Sequence, residues 1–252
     1  LVLNERFLKI SLVSIVFLSN LYLGPNIRVC RQLLHQHKEE YLDTYKAGLI
    51  KKIPVSAGVV ATFEFLPHLS HRASLYSFHH VYKGSYTLSK KKYILPSDAE
   101  YALIDFCDFL TFSGFYSSGG YSNIQNFLLQ GNWHAEDFME NIVLFKKNIP
   151  PKDILAQAVR NPGKEIENKI LINVESDIEL IGCNLSGTER KDILEIIFYY
   201  RCLRPTPKDI NIILDIVDKK DGLIMRKAHP ICYRVFPTNS WKRGEIFKER
   251  LR

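Results

Sequence analysis

The sequence is poor in cysteine, and its cysteines do not sit at paired spacings. Cys30, Cys107, Cys183, Cys202 and Cys232 form no C-x-x-C pair. An odd count at irregular intervals argues against a disulfide scaffold and against a structural zinc site. Most of them lie in apolar runs, where a thiol serves as a small buried hydrophobe. A bridge between two in the C-terminal half is the alternative if the compartment is oxidising.

Long runs of one charge are also missing. The net charge is +7, from 34 basic and 27 acidic residues, yet the basic residues are scattered. Lys90, Lys91 and Lys92 follow Ser89 in a run of three, whereas Lys51-Lys52, Lys146-Lys147, Lys219-Lys220 and Lys242-Arg243 are only pairs. Scattered cations read as solvated loops, so nucleic acid is not an expected partner. The glycine-rich Ser117-Ser118-Gly119-Gly120 lacks the lysine of a P-loop and the spacing of a dinucleotide fingerprint. No repeat and no nucleophile–base set is recognisable, so no catalytic residue, cofactor or metal is assigned. The composition, 46% hydrophobic and 24% charged, is that of a globular protein rather than a disordered one.

What is present begins with one apolar run. Phe7 to Gly24 carries a single charge, Lys9, and stops at Gly24-Pro25. A helix of this length spans about 27 Å, just enough for a hydrocarbon core. Three readings compete: a transmembrane helix, which is favoured; a secretory signal, which lacks a small-x-small cleavage site; and a buried core helix. Arg6 and Lys9 precede the core of the run and Arg28 and Arg31 follow it, so charge asymmetry is nearly silent on orientation. Leu1 stands where a start Met is expected, and the chain reads as the C-terminal piece of a longer protein.

Asn26 to Lys51 has the periodicity of an amphipathic helix, with Cys30, Leu33, Leu34, Tyr41, Leu42, Tyr45 and Leu49 recurring mostly at three- and four-residue steps. Val55–Val60 and Ser74–Phe78 read as strands around a short helix or turn. Ala99–Cys107 reads as a buried strand, Tyr121–Leu129 as a helix, and Trp133–Glu140 with Ile142–Lys147 as a hairpin turning at Glu140-Asn141. Strands alternating with helices predict an α/β domain with a mixed sheet over residues 26–160. Pro150, Pro151, Pro162 and Gly163 mark a boundary within 148–164. Beyond it, candidate strands at 170–174, 178–185, 193–202, 210–217, 223–227, 232–236 and 244–251 predict an antiparallel β-sandwich over 165–252. The expected order is therefore one membrane helix (1–25), the α/β domain and the sandwich.

Several runs resemble a known family. Pro54-Val55-Ser56-Ala57, Leu66-Pro67-His68-Leu69-Ser70-His71-Arg72 and Leu75-Tyr76-Ser77-Phe78 resemble a signature of the polytopic membrane proteins known as domain of unknown function 2079. In that family the run follows the last transmembrane helix. Tyr101 to Asp105 resembles the family's next strand, and Phe138 to Lys146 its closing hairpin. Glu179 to Gly187, Tyr199-Tyr200-Arg201, Asp218 to Gly222 and Pro237 to Glu245 are similar to a β-sandwich module appended to bacterial membrane glycosyltransferase-like proteins. The resemblance implies an extracytoplasmic, accessory region of a lipid-linked-sugar glycosyltransferase. In the family, the catalytic acid lies in an early outer loop that has no counterpart in this sequence. The implied partners are the lipid bilayer and a glycan or lipid-linked sugar.

Candidate ligand residues are weighed against plainer roles. His68 and His71 share a helical face, and with Arg72 they offer a grip for an anionic sugar or a lipid phosphate. The plainer role is hydrogen bonding at a turn. His79 and His80, or Asp105 and Asp108, would have to fold back to complete a metal site. Asp105 and Asp108 end the apolar strand, where a cleft can form. Asp215, Asp218 and Asp221 have a cation-like spacing that a hairpin turn explains as well. Tyr199, Tyr200, Tyr233 and Trp241 are candidates to stack on sugar rings, or else to pack in the sheets.

Overall fold

The computed structural model of the chain describes Ser14, Ser19 and residues 40–112, 120–150, 154–188 and 193–252. The chain divides into two compact units, Leu1–Lys51 and Lys52–Arg252. Of the expected membrane helix only Ser14 and Ser19 are described, both helical and exposed; the rest lies outside the described residues. Among the described residues, no helix is long and apolar enough to cross a membrane. Helix α1 (Glu40–Lys52) is the described end of the amphipathic segment, with Leu42 and Leu49 buried two turns apart and Tyr41 and Asp43 exposed.

The second unit begins with a mixed five-stranded sheet. Its strands are β1 (Gly58–Ala61), β2 (Leu75–Ser77), β3 (Ala99–Asp105), β4 (Trp133–Met139) and β5 (Ile142–Lys147), in the order β2-β1-β3-β5-β4. β1 pairs in parallel with both β2 and β3, and β5 runs antiparallel to β3 and β4. The parallel part is linked by short helices, α2 (Leu66–Leu69) and α3 (Phe78–Lys83). β1 and β3 are central, and both read as nearly continuous apolar runs because both faces are covered. After α4 (Phe109–Phe112), α5 (Gly120–Gln130) leads into the β4–β5 hairpin. The hairpin turns at Glu140-Asn141, as expected, with Glu140 in the left-handed region (φ 51).

The expected antiparallel C-terminal region is present as one five-stranded sheet and a separate ribbon. The sheet comprises β6 (Ala156–Val159), β7 (Asn168–Val174), β8 (Ile178–Gly187), β9 (Leu194–Cys202) and β12 (Ile246–Leu251), in the order β6-β12-β9-β8-β7. The ribbon pairs β10 (Asn211–Val217) with β11 (Leu223–Pro230). Gly182 marks a register shift in β8, where an added Cβ would lie 2.2 Å from Ile166 and 2.6 Å from the Asn168 carbonyl oxygen. One expectation is corrected. Cys232–Phe236, read as a strand, is instead a tight turn over Ile231–Arg234, with Cys232, Tyr233 and Arg234 at φ 55, 52 and 56. Apolar alternation mimics a strand there. Pro230 ends β11, and the backbone then curls inward to reach a buried acceptor described below.

One continuous apolar cluster joins the two sheets. Phe106 is its hinge point. It stacks on Phe112 (6.0 Å, 9°) and meets Phe145 (6.5 Å) and Tyr233 (5.7 Å) edge-on. Tyr82, almost wholly buried, packs edge-on against Phe112 (5.4 Å) and Tyr121 (6.1 Å). A Cβ on Gly120 would lie 2.0 Å from the Tyr82 ring, which is almost wholly buried. Gly120→Ala is therefore expected to destabilise the chain by about 1–3 kcal/mol through overpacking, despite the better helix propensity of alanine. Urea unfolding measures this, and a variant at least as stable as the parent would contradict this packing.

Candidate functional site

The residues singled out from the sequence are dispersed. Arg72 turns inward and donates to the carbonyl oxygens of Ile53 (2.8 Å) and Pro54, so its guanidinium ties down the chain entering β1. Burial pulls its pKa down from the usual arginine value. His68, at the end of α2, and His71, in the following turn, are exposed and do not share that pocket. His79 is buried, with Nδ1 3.1 Å from the Thr111 carbonyl oxygen. His80 packs among aromatic rings.

The acids are engaged in local turns. Asp105 Oδ1 accepts from the Cys107 N–H (2.8 Å). Asp108 accepts from the Leu110 N–H (3.1 Å) and the Thr111 hydroxyl (2.8 Å) as α4 begins. Asp215 forms a two-pronged pair with Arg226 directly across the ribbon, both contacts 2.7 Å. That pair holds the Asp215 carboxyl below the usual carboxylate range. Asp218 Oδ1 closes the ribbon's turn by accepting from the N–H groups of Lys220 (2.7 Å) and Gly222 (2.8 Å). Among the described residues, no group of three or more His, Cys, Asp or Glu side chains is placed to hold a metal ion.

The aromatic candidates lie inside. Trp241 stacks on Phe247 (4.2 Å, 18°) and donates its indole N–H to the Phe236 carbonyl oxygen (2.9 Å). Tyr199, Tyr200 and Tyr233 are each at most 1% exposed. The described cysteines are free thiols, and Cys183, Cys202 and Cys232 are buried.

A different constellation occupies the junction of the three sheets, and no motif announced it. On β12, Phe247, Glu249 and Leu251 all point inward while Lys248 and Arg250 alternate outward, so an acid occupies a core position. Glu249 is 0% exposed. Its Oε2 accepts from the Cys232 backbone N–H and lies 3.1 Å from His229 Nε2. His229, at the end of β11, sets Nδ1 2.7 Å from Asn141 Oδ1, and Asn141 Nδ2 donates to the Ala228 carbonyl oxygen (3.1 Å). This last bond fixes the amide orientation, so His229 Nδ1 carries a proton. Tyr200, on the same face of the sheet as Phe198 opposite Glu249, completes the enclosure. Burial and the neighbouring carboxylate push its hydroxyl well above the usual tyrosine range. The same causes push the Cys232 thiol well up. An acid, an imidazole and a thiol are thus gathered in one place, but the thiol stays protonated and none of the three meets solvent. A reactive thiol needs the opposite setting, partial exposure and a lowered pKa.

A second constellation lies beside it. Arg234 Nη1 donates to the Tyr121 hydroxyl (2.6 Å) and to Asp209 Oδ2 (3.2 Å), with its guanidinium over the rings of Tyr121 (5.5 Å) and Phe112 (5.9 Å). Burial raises the Asp209 carboxyl and the Arg234 charge opposes that shift. This ion pair seals the interval between α5 and the left-handed turn.

Sequence reasoning missed Asn141, His229 and Glu249 as a group. One signal was available: an acid between two inward aromatics and aliphatics in Ile246-Phe247-Lys248-Glu249-Arg250-Leu251. No family model, curated protein or solved structure matches this chain.

Replacing Glu249 with leucine would strand the His229 ring nitrogen and the Cys232 N–H in the core. Glu249→Leu is expected to lower stability by about 2–5 kcal/mol, since each of the two buried groups left without a partner costs about 1–3 kcal/mol. Denaturant unfolding of the variant tests this; a loss under about 1 kcal/mol would show that the network is dispensable.

Proposed function

We propose that residues 52–252 serve as a non-catalytic binding or structural module of a membrane-associated protein, acting through their surface. The observation that supports this is the closed state of the Asn141–His229–Glu249–Cys232 network. The groups best suited to acid–base or nucleophilic work are used up in joining sheets. Outside the core, the candidate acids cap turns or pair across strands.

The accessory role in a glycosyltransferase-like protein draws its support from the motif runs at 54–78 and 179–245 alone. Extracytoplasmic placement, and the reading of the antiparallel region as an appended sandwich module, rest on the same resemblance. Engagement of a glycan by stacking gains little, because Trp241, Tyr199, Tyr200 and Tyr233 already pack against protein.

The test compares function with folding in the intact protein, in its own host. Cys232→Ala and His229→Gln are expected to lower cellular function only in proportion to the amount of folded protein. Abolished function with unchanged abundance and thermal stability in either variant would overturn the non-catalytic reading, because only a chemical role separates the two.

A further inference from the structure

The segment after α3 forms a closed excursion with an unusual surface. Gly84 ends α3 in the left-handed conformation (φ 71), its N–H reaching the His80 carbonyl oxygen at 2.9 Å. The chain then leaves and returns. Ser85 pairs with Lys92 in an antiparallel bridge, the Tyr86 N–H donates to the Lys91 carbonyl oxygen (2.9 Å), and the Tyr93 N–H donates to that of Gly84 (3.0 Å). Three rings hold the base of the loop: His80 lies 5.4 Å from Tyr86 and 5.2 Å from Tyr93, and the two tyrosines are 5.1 Å apart. The loop is therefore a built hairpin on an aromatic footing.

What it presents is apolar at the tip and cationic around it. Leu88 is 98% exposed and Ile94 74%, with Tyr86 at the rim. Lys90, Lys91 and Lys92 are exposed beside them, and Lys83 stands at the base, where its ammonium donates to the Thr87 carbonyl oxygen. No acid occurs between Glu64 and Asp98, so nothing in the segment neutralises these lysines. A fully exposed leucine among lysines, with an interfacial tyrosine, matches the headgroup region of an anionic bilayer: acyl chains for the leucine, phosphates for the ammonium groups. A polyanion alone would leave the leucine unexplained.

We propose that the loop over residues 84–94 docks on an anionic lipid surface, inserting Leu88 at the level of the headgroups and holding it there with Lys90, Lys91 and Lys92. This rests on the reading of the chain as membrane-associated and adds the surface and lipid class through which it sits down.

Leu88→Trp provides the probe, because Trp133 and Trp241 are both buried and shielded from lipid. The full chain carrying L88W is reconstituted in nanodiscs made with brominated phosphatidylglycerol or with brominated phosphatidylcholine. The expected result is quenching of the added fluorescence in phosphatidylglycerol discs, weaker in phosphatidylcholine. Lys90→Ser, Lys91→Ser and Lys92→Ser together should bring the two lipids level, since each lysine near such a surface contributes roughly fivefold. Thermal unfolding controls for the fold, and these exposed positions should leave it unchanged. A chain that joins the discs without quenching in either lipid would overturn the loop assignment while keeping the membrane reading. A chain that joins neither disc would overturn both. Fluorescence that responds to a DNA duplex and not to lipid would replace the bilayer with a nucleic acid.

Discussion

A buried carboxylate sets the terms for the second unit. Glu249 occupies an inward position of β12, between Phe247 and Leu251, in the middle of a sheet whose inner face is otherwise apolar and aromatic. A carboxyl group there costs free energy unless it finds hydrogen-bond partners, and Oε2 finds two while Oε1 is buried without one. The partners come from elsewhere in the chain: the Cys232 N–H from the left-handed turn, His229 from the end of the ribbon, and Asn141 behind it from the hairpin of the mixed sheet. The contacts of one carboxyl oxygen therefore bring three sheets to one point.

The neighbouring contacts follow from that meeting. The Glu140 N–H reaches the Arg252 carbonyl oxygen (2.8 Å), and the Arg252 guanidinium lies over Phe138 at 4.3 Å. The Phe106 N–H donates to the Asn141 carbonyl oxygen (2.9 Å), which carries the join back to β3. The His229 ring meets Tyr233 edge-on at 4.8 Å, and Tyr233 donates its hydroxyl to the Arg250 carbonyl oxygen (2.9 Å). Three successive residues at positive φ carry steric strain, and the hydrogen bond from Cys232 to Glu249 and the buried Tyr233 ring offset it. Such a site depends on shape, because the turn, the ribbon and β12 must fit together before its contacts can form.

Much of the element order was legible in the sequence because local patterns carry it. The apolar run at Ala99–Asp105, the hairpin at Glu140-Asn141, the helix at Gly120–Gln130 and the strands at 178–187 and 194–202 each announce themselves through period and turn chemistry. The turn at 231–234 did not, because Ile231, Cys232, Tyr233 and Val235 are as apolar as a strand and their curl answers a carboxylate on another strand. Arg72 and Trp241 show the same limit in another way. A charge and an indole are the usual instruments of ligand binding, and nothing local says that the backbone carbonyls of Ile53, Pro54 and Phe236 take them up.

The sequence by itself determined the mixed α/β layer followed by antiparallel strands, the scattered basic charge and the acid-free lysine loop, since each depends on residues close together in the chain. Only the tertiary structure decided which polar groups are spent. Glu249 and Cys232 are 17 residues apart and His229 and Asn141 are 88 apart, so their pairing exists only once the sheets have met. Burial, which a linear pattern does not carry, then turns a set of chemically capable side chains into the fastening of the fold.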